Sequence, residues 1–166
     1  MPRVRSELAR LVTPASTVRL CRAVVGDVPE LVALLADDPL GASRESRDAD
    51  MLEVYLRAFA AVDADPNQVL VAALDGDRVV ATLQLTFIPG LSRGGTLRTQ
   101  VEAVRVAADH RGHGLGRLLV GWAVEEARRR GSTLVQLTTD KTRTGAHRFY
   151  ERLGFVASHE GYKLQL

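Results

Sequence analysis

The stretch VEAVRVAADHRGHGLGRLLVGWAVEEARRRG, residues 101–131, constrains the fold more than any other part of the chain. A valine-rich run leads into glycines at 112, 114 and 116, and an apolar helical stripe begins at once. Leu115, Leu118, Leu119 and Trp122 recur at helical spacing, with Ala123 and Ala127 flanking them. Glu125 with Arg129 and Glu126 with Arg130 form helpful i,i+4 pairs, and Gly131 stands where a helix end favours a left-handed residue. LVQLTT, 134–139, then reads as a short buried strand. Strand, glycine turn, helix and strand make a β-α-β crossover, which joins parallel strands.

The remaining segments surround that crossover with antiparallel signals. TVRLCRAV, 17–24, alternates as a strand. Asp27 stands as an N-cap with Glu30 as its capping-box partner, followed by a stripe of Val28, Leu31, Val32 and Leu35 that Asp37-Asp38-Pro39 ends. Residues 41–48 are a polar loop, and Asp50 to Val62 a second helix with Leu52, Tyr55, Leu56 and Phe59 on one face. VLVAALDGDRVVATLQLTFI reads as a hairpin turning at Asp75-Gly76-Asp77. After a loop from Pro89-Gly90 to Thr96, residues 97–107 form a long strand. Val101 and Ala103 face one way on it, and Glu102, Val104 and Val106 the other. Ala146, Phe149, Tyr150 and Leu153 mark a last helix closed by Gly154, and 155–166 a final strand pair or one bent strand. The class is mixed α/β, with antiparallel hairpins first and the crossover after them.

A chain of 166 residues suits one domain, here 17–166, with 1–16 as an N-terminal extension. That extension is either flexible or a short docked helix through Val4, Leu8, Leu11 and Val12. Cys21 is the single cysteine, which excludes an intrachain disulfide and fits a reducing, cytoplasmic setting. The four histidines are scattered, so no metal site is expected. The net charge of +2, without interleaved basic and aromatic residues, gives no nucleic-acid signature. No apolar run reaches the ~18 residues of a membrane-spanning helix.

RGHGLG, 111–116, departs from the usual phosphate motifs. A dinucleotide fingerprint needs glycine where Arg117 stands, and no Gly-Lys-Ser/Thr follows as a Walker loop would require. The residues alone leave two readings: a tight strand-to-helix turn, or an anion cradle of amides at the positive end of a helix dipole.

Arg111, Gly114 and Gly116 nevertheless match Arg/Gln-x-x-Gly-x-Gly/Ala, and AHRFYERLGF matches Ala-x-x-Phe-Tyr-x-x-x-Gly-Phe through Ala146, Phe149, Tyr150, Gly154 and Phe155. In both segments, and in element order over 17–166, the chain resembles the GNAT superfamily of acetyl-CoA-dependent N-acyltransferases. The resemblance implies a central, mostly antiparallel sheet with a splayed parallel strand pair, flanked by about four helices. It implies acetyl transfer from acetyl-CoA to a primary amine, directly and within a ternary complex. The alternative is a non-catalytic acyl-CoA-binding regulatory module.

By the same resemblance, the coenzyme pyrophosphate lies on the amides of Gly112, His113, Gly114, Leu115, Gly116 and Arg117, next to Arg111. The pantetheine arm pairs with Val104 and Val106 like an added strand. Glu102 is the candidate base, with Gln100 as a residue that positions a water instead; Tyr150 is the candidate acid, and the Val104 N–H the oxyanion donor. Many similar proteins carry Asn where Arg143 stands, so that pantetheine contact is altered, and Arg143 or Arg148 meets a phosphate instead. His113 and His147 read as surface residues. The acceptor-site walls, about 36–60 and 88–98, carry Asp37, Asp38, Glu45, Asp48 and Asp50 on one side and Arg93 and Arg98 on the other, which leaves the amine class open. A homodimer also stays open, because similar proteins often pair, sometimes through their C-terminal strands.

Overall fold

A computed structural model describes residues 5–37, 41, 45–46 and 48–166. Val4, Asp38, Pro39 and residues 42–44 and 47 of the polar loop lie outside the described residues. One sheet holds β1 (Glu7–Val12), β2 (Thr17–Arg22), β3 (Gln68–Asp75), β4 (Arg78–Pro89), β5 (Leu97–Val106) and β6 (Leu134–Leu137) in chain order. Neighbours are antiparallel except β5 and β6, which are parallel. The helices are α1 (Val28–Ala36), α2 (Ala49–Ala64), the single turn α3 (Ser92–Gly95), α4 (Leu115–Arg129) and α5 (Thr144–Arg152). This is the expected mixed architecture. The helix beyond the expected four is α3, in which Arg93 and Gly94 take left-handed φ of 54° and 71°.

Turn chemistry sets the hairpins. Asp75 pairs with Arg78 across Gly76-Asp77, and Gly76 has φ 60°, the left-handed value a II′ turn requires at its first central position. Between β1 and β2 the Thr13 hydroxyl accepts from the Ser16 amide at 3.0 Å and the Ala15 amide at 3.2 Å. Part of the N-terminal extension is therefore an edge strand of the sheet rather than a helix or a flexible tail. Its 3–4 apolar spacing misleads because Leu11 alone among β1 residues is buried, while Arg10 pairs with Glu7 in the open. At the other end, the strand expected over 155–166 is absent, and 156–166 is exposed and belongs to no strand.

The core lies between the sheet and helices α1 and α4. Val18, Leu20, Val71, Leu83, Leu85, Val101, Leu115 and Leu119 are fully buried, each leucine contributing about 1.5–3 kcal/mol of transfer free energy. On α4 the buried positions are Leu115, Leu119, Val120, Ala123 and Ala127, with Leu118 and Trp122 half-buried at the margin. The stripe is thus rotated toward the alanines, whose small side chains let the helix axis approach the sheet. Glu126 pairs with Arg130 as expected, at 2.8 Å, but Glu125 pairs with Arg128 rather than Arg129. Asp27 and Glu30 do not form the expected capping box. Asp27, 3% exposed, accepts from the Val24 amide at 2.9 Å and pairs with Arg5, whereas Glu30 accepts from the Val79 amide of β4 at 2.9 Å.

Candidate active site

The site is built on an irregularity in β5. Leu85 pairs with Val101 and Ala81 with Val106, so four steps along β4 match five along β5. The extra residue is a β-bulge at 103–104, where Ala103 takes φ 53°. Ala81 and Leu85 share a sheet face, so the bulge moves Val106 onto the face of Val101. The sequence expectation that Glu102 and Val106 share a face is corrected by this extra residue. Glu102 stays opposite Gln84 on the other face, exposed, and among the described residues its carboxylate has no hydrogen-bond or ion-pair partner.

The bulge coincides with the splay. β6 pairs with β5 only from Arg98↔Leu134 to Val101↔Leu137, so the segment 102–106 has β4 on one side and no strand on the other. Guanidinium groups reach two of its carbonyls: Arg105 Nη1 donates to the Val104 oxygen at 2.9 Å and Arg111 Nε to the Val106 oxygen at 2.8 Å. Arg111 also donates to the Asp37 carbonyl and carboxylate, each at 3.1 Å. It braces the glycine loop against β5 and the end of α1, a role the motif does not reveal.

Beyond Arg111 the chain makes the turn the glycines allow. Gly112 and Gly114 have φ of 82° and 84°, a region costly for any residue with a Cβ. Gly114 precedes α4 directly and no side chain caps that helix. Among the described residues, the amides of 112–117 donate to no backbone carbonyl. These groups point outward at the positive end of a helix of fifteen residues. Gly116 lies over α5, its Cβ position 3.6 Å from Phe149 Cζ and 3.8 Å from Val106 Cγ2.

Helix α5 brings Tyr150 to the same region. Its ring stacks edge-on against Phe149 at 5.1 Å and Phe155 at 5.8 Å. Burial pushes the phenol pKa up, with Arg143 and Arg105 pulling weakly the other way, so the hydroxyl is protonated near neutral pH. Sequence pattern does not single out Arg105, whose charge acts on the Tyr150 phenol and whose register on β5 is set by the bulge. Arg143 precedes α5 as its N-cap residue. His147 braces the loop before that helix through the Asp140 carbonyl at 2.8 Å, and His113 is exposed. Arg117 and Arg148 are exposed as well.

A row of polar side chains crosses the sheet beside Glu102. Gln68, Thr86, Gln100 and Gln136 are successive register partners on β3, β4, β5 and β6. Thr86 and Gln84 donate to the Gln68 carbonyl oxygen at 2.9 Å, and Gln136 donates to that of Gln100 at 2.8 Å. Gln100 is thus part of a ladder. Only pairing register reveals it, since the four residues are far apart in sequence. Arg93 and Arg98 are exposed, and so is Asp37, although its carboxylate is held by Arg111. Among the described residues, no three His, Cys, Asp or Glu side chains converge as metal ligands, and no helix is long and apolar enough to cross a membrane.

An open strand edge running toward an amide-lined helix start is the defining feature of the site. The family model for the acetyltransferase (GNAT) family matches residues 29–155. Aminoalkylphosphonate N-acetyltransferase of Salmonella typhimurium is 35% identical over 107 residues, covering 64% of this chain and 69% of that protein. Among solved structures, a transcriptional regulator from Bacillus halodurans is 46% identical, with a TM-score of 0.86, over 90% of this chain and 99% of that one. A putative acetyltransferase from Agrobacterium tumefaciens is 30% identical, with a TM-score of 0.73, over 89% and 99%. The chain belongs to the GNAT acetyltransferase family and is an acyltransferase.

Proposed function

We propose that the protein moves an acetyl group from acetyl-CoA directly to a primary amine, with both bound at once. The observation that carries this reading is the open edge of β5 past Val101, which ends at the unpartnered amides of 112–117. The amides, with Arg117 and Arg143, hold the phosphates; Val104 and Val106 face the pantetheine arm. Either arginine contact on those carbonyls leaves a second lone pair for the ligand.

An acceptor amine with a pKa of about 10.4 must lose a proton before it attacks. Glu102, unpartnered and exposed, takes that proton directly or through a water held by the glutamine ladder. The amine nitrogen bonds to the thioester carbon, and the Val104 amide stabilises the oxyanion. The nitrogen then gives its second proton to water, the oxyanion collapses to the amide carbonyl, and the C–S bond breaks. The Tyr150 hydroxyl donates to the departing sulfur and recovers its proton from solvent. Donation from a phenol whose pKa is raised is uphill toward a thiolate of about 8.5, so Arg105 and Arg143 assist by favouring the phenolate. We place this activity in the cytoplasm, with no nucleic-acid partner.

The experiment is thiol release from acetyl-CoA over a panel of amines, with product mass confirmed. Aminoalkylphosphonates, amino acids, aminoglycosides and peptide N-termini belong in that panel. Acetylated product from at least one class supports the proposal. Tight acetyl-CoA binding without product from any amine favours the regulatory acyl-CoA-binding module instead.

A further inference from the structure

We propose that the acceptor amine carries an anionic group, a carboxylate or phosphonate, and that Arg98 of β5 receives it. This rests on the reading that Glu102 meets the amine, and it names the substrate class that reading leaves open.

The pleat of β5 lays out the binding surface. Thr99 and Val101 point into the core, 0% and 1% exposed, so Arg98, Gln100 and Glu102 share the opposite face. Gln84 and Thr86 of β4 and Gln136 of β6 border this row, half-buried and uncharged. Arg98 and Glu102 are exposed, so the row is open to a ligand along its length. It reads cation, amide, anion. At a rise of about 3.3 Å per residue, its two ends are about 13 Å apart at Cα, and both side chains are long enough to shorten that span. Gln100 is held between them by Gln136 at 2.8 Å.

The charge an acceptor must bring follows from which protein charges are already engaged. The acidic side chains at the end of α1 and the start of α2 have partners. Arg111 holds Asp37 at 3.1 Å, the Tyr55 hydroxyl donates to Glu45 at 2.8 Å, and the Ser46 hydroxyl donates to Asp48 at 2.7 Å. Asp50 lies in the first turn of α2, where the helix dipole favours an acid. Among the described residues, the side chain of Arg98 has no hydrogen-bond or ion-pair partner, and neither has that of Arg93 in α3, the turn that leads into β5. The basic wall is therefore the one left to bind a ligand charge. A free carboxylate and a free guanidinium at opposite ends of one open row complement a molecule with an amine at one end and an anion at the other. The guanidinium fork matches two oxygens of a carboxylate or phosphonate, whereas a second ammonium would be repelled.

Thiol release from acetyl-CoA, measured as kcat/KM, compares a homologous series of ω-amino acids with their primary amides and with the corresponding diamines. The acids are expected to lead by about 10–100-fold, the size of a charge-assisted hydrogen bond, and the lead should shrink as salt rises. Arg98→Gln is expected to bring the ratio of acid to amide near one, chiefly through KM for the acid, while Arg98→Lys keeps part of it. Calorimetric titration of the same compounds in the presence of excess coenzyme A reads the preference without turnover. Acids and amides acetylated equally well overturn the proposal and leave acetyl transfer standing. So does a preference for acids that survives in Arg98→Gln. If no amine is acetylated, yet acids bind more tightly than amides and Arg98→Gln abolishes the difference, acetyl transfer fails and the anion site stands. Equal binding of acid and amide, or binding of neither, in a protein that forms no product overturns both.

Discussion

Tyr150 sits in an apolar clamp of Phe149 and Phe155 with two arginines nearby, and burial keeps it protonated. If it assists the leaving thiolate, Tyr150→Phe slows turnover by about 10²–10⁴-fold while calorimetry shows acetyl-CoA affinity changed only a few-fold. Equal loss in both would mark it as a packing residue. Glu102 has no side-chain partner among the described residues, so Glu102→Gln should leave melting temperature unchanged and reduce kcat most below neutral pH, where free amine is scarce. A third residue, His110, governs stability rather than chemistry. Its ring, 19% exposed, bridges Asp109 at 2.9 Å and Asp75 at 3.1 Å, and Asp109 also meets Arg78 at 2.5 Å. Hydrogen bonds to Asp109 and Asp75 raise the imidazole pKa. Its stabilisation is therefore complete below the unfolded value of about 6.5 and fades as pH climbs through the raised folded value. Arg78 and His110 depress Asp109, and His110 depresses Asp75, so their contribution is present above the unfolded value of about 3.9 and lost on acidification. Thermal melts should show His110→Asn flattening the fall in stability between about pH 6 and pH 9, a window set by the imidazole. An unchanged pH profile would contradict this.

At the scale of elements, the β5 bulge and the glycine turn are the two devices that place the site. Ala103 holds a left-handed φ that a β-branched side chain tolerates poorly. Ala103→Val should cost about 1–3 kcal/mol in chemical denaturation and depress turnover, while Ala103→Gly should preserve both. The two devices differ in how far sequence exposes them. Gly112 and Gly114 can be read directly, because left-handed positions at a helix start select glycine. Ala103 cannot, because alanine is also ordinary in a regular strand and nothing in its residue type marks a left-handed position. The bulge exists only in register with β4, and with it go the true face of Val106 and the approach of Arg105 to Tyr150. The Gln68–Thr86–Gln100–Gln136 row is hidden for the same reason. β1 was obscured because its apolar spacing suits a helix, and pairing with β2 decides otherwise. By contrast, the β3–β4 hairpin, α1, α4 and the parallel crossover follow from local pattern, since each element buries the face its own period defines.

Across the whole molecule, one core supports a sheet that is closed by helices on its body and open at one side. The proposed acetyl-CoA site is the opening between β5 and β6, with the amides of 112–117 and Tyr150 of α5 beside it. That placement is tested most directly by backbone amide exchange with and without saturating acetyl-CoA. New protection is expected at Val104, Val106 and 112–117, with little change in β1–β3. Protection elsewhere would contradict it, for instance in the small cavity lined by Thr13, Ser16, Asp75 and His110, as would no protection at all.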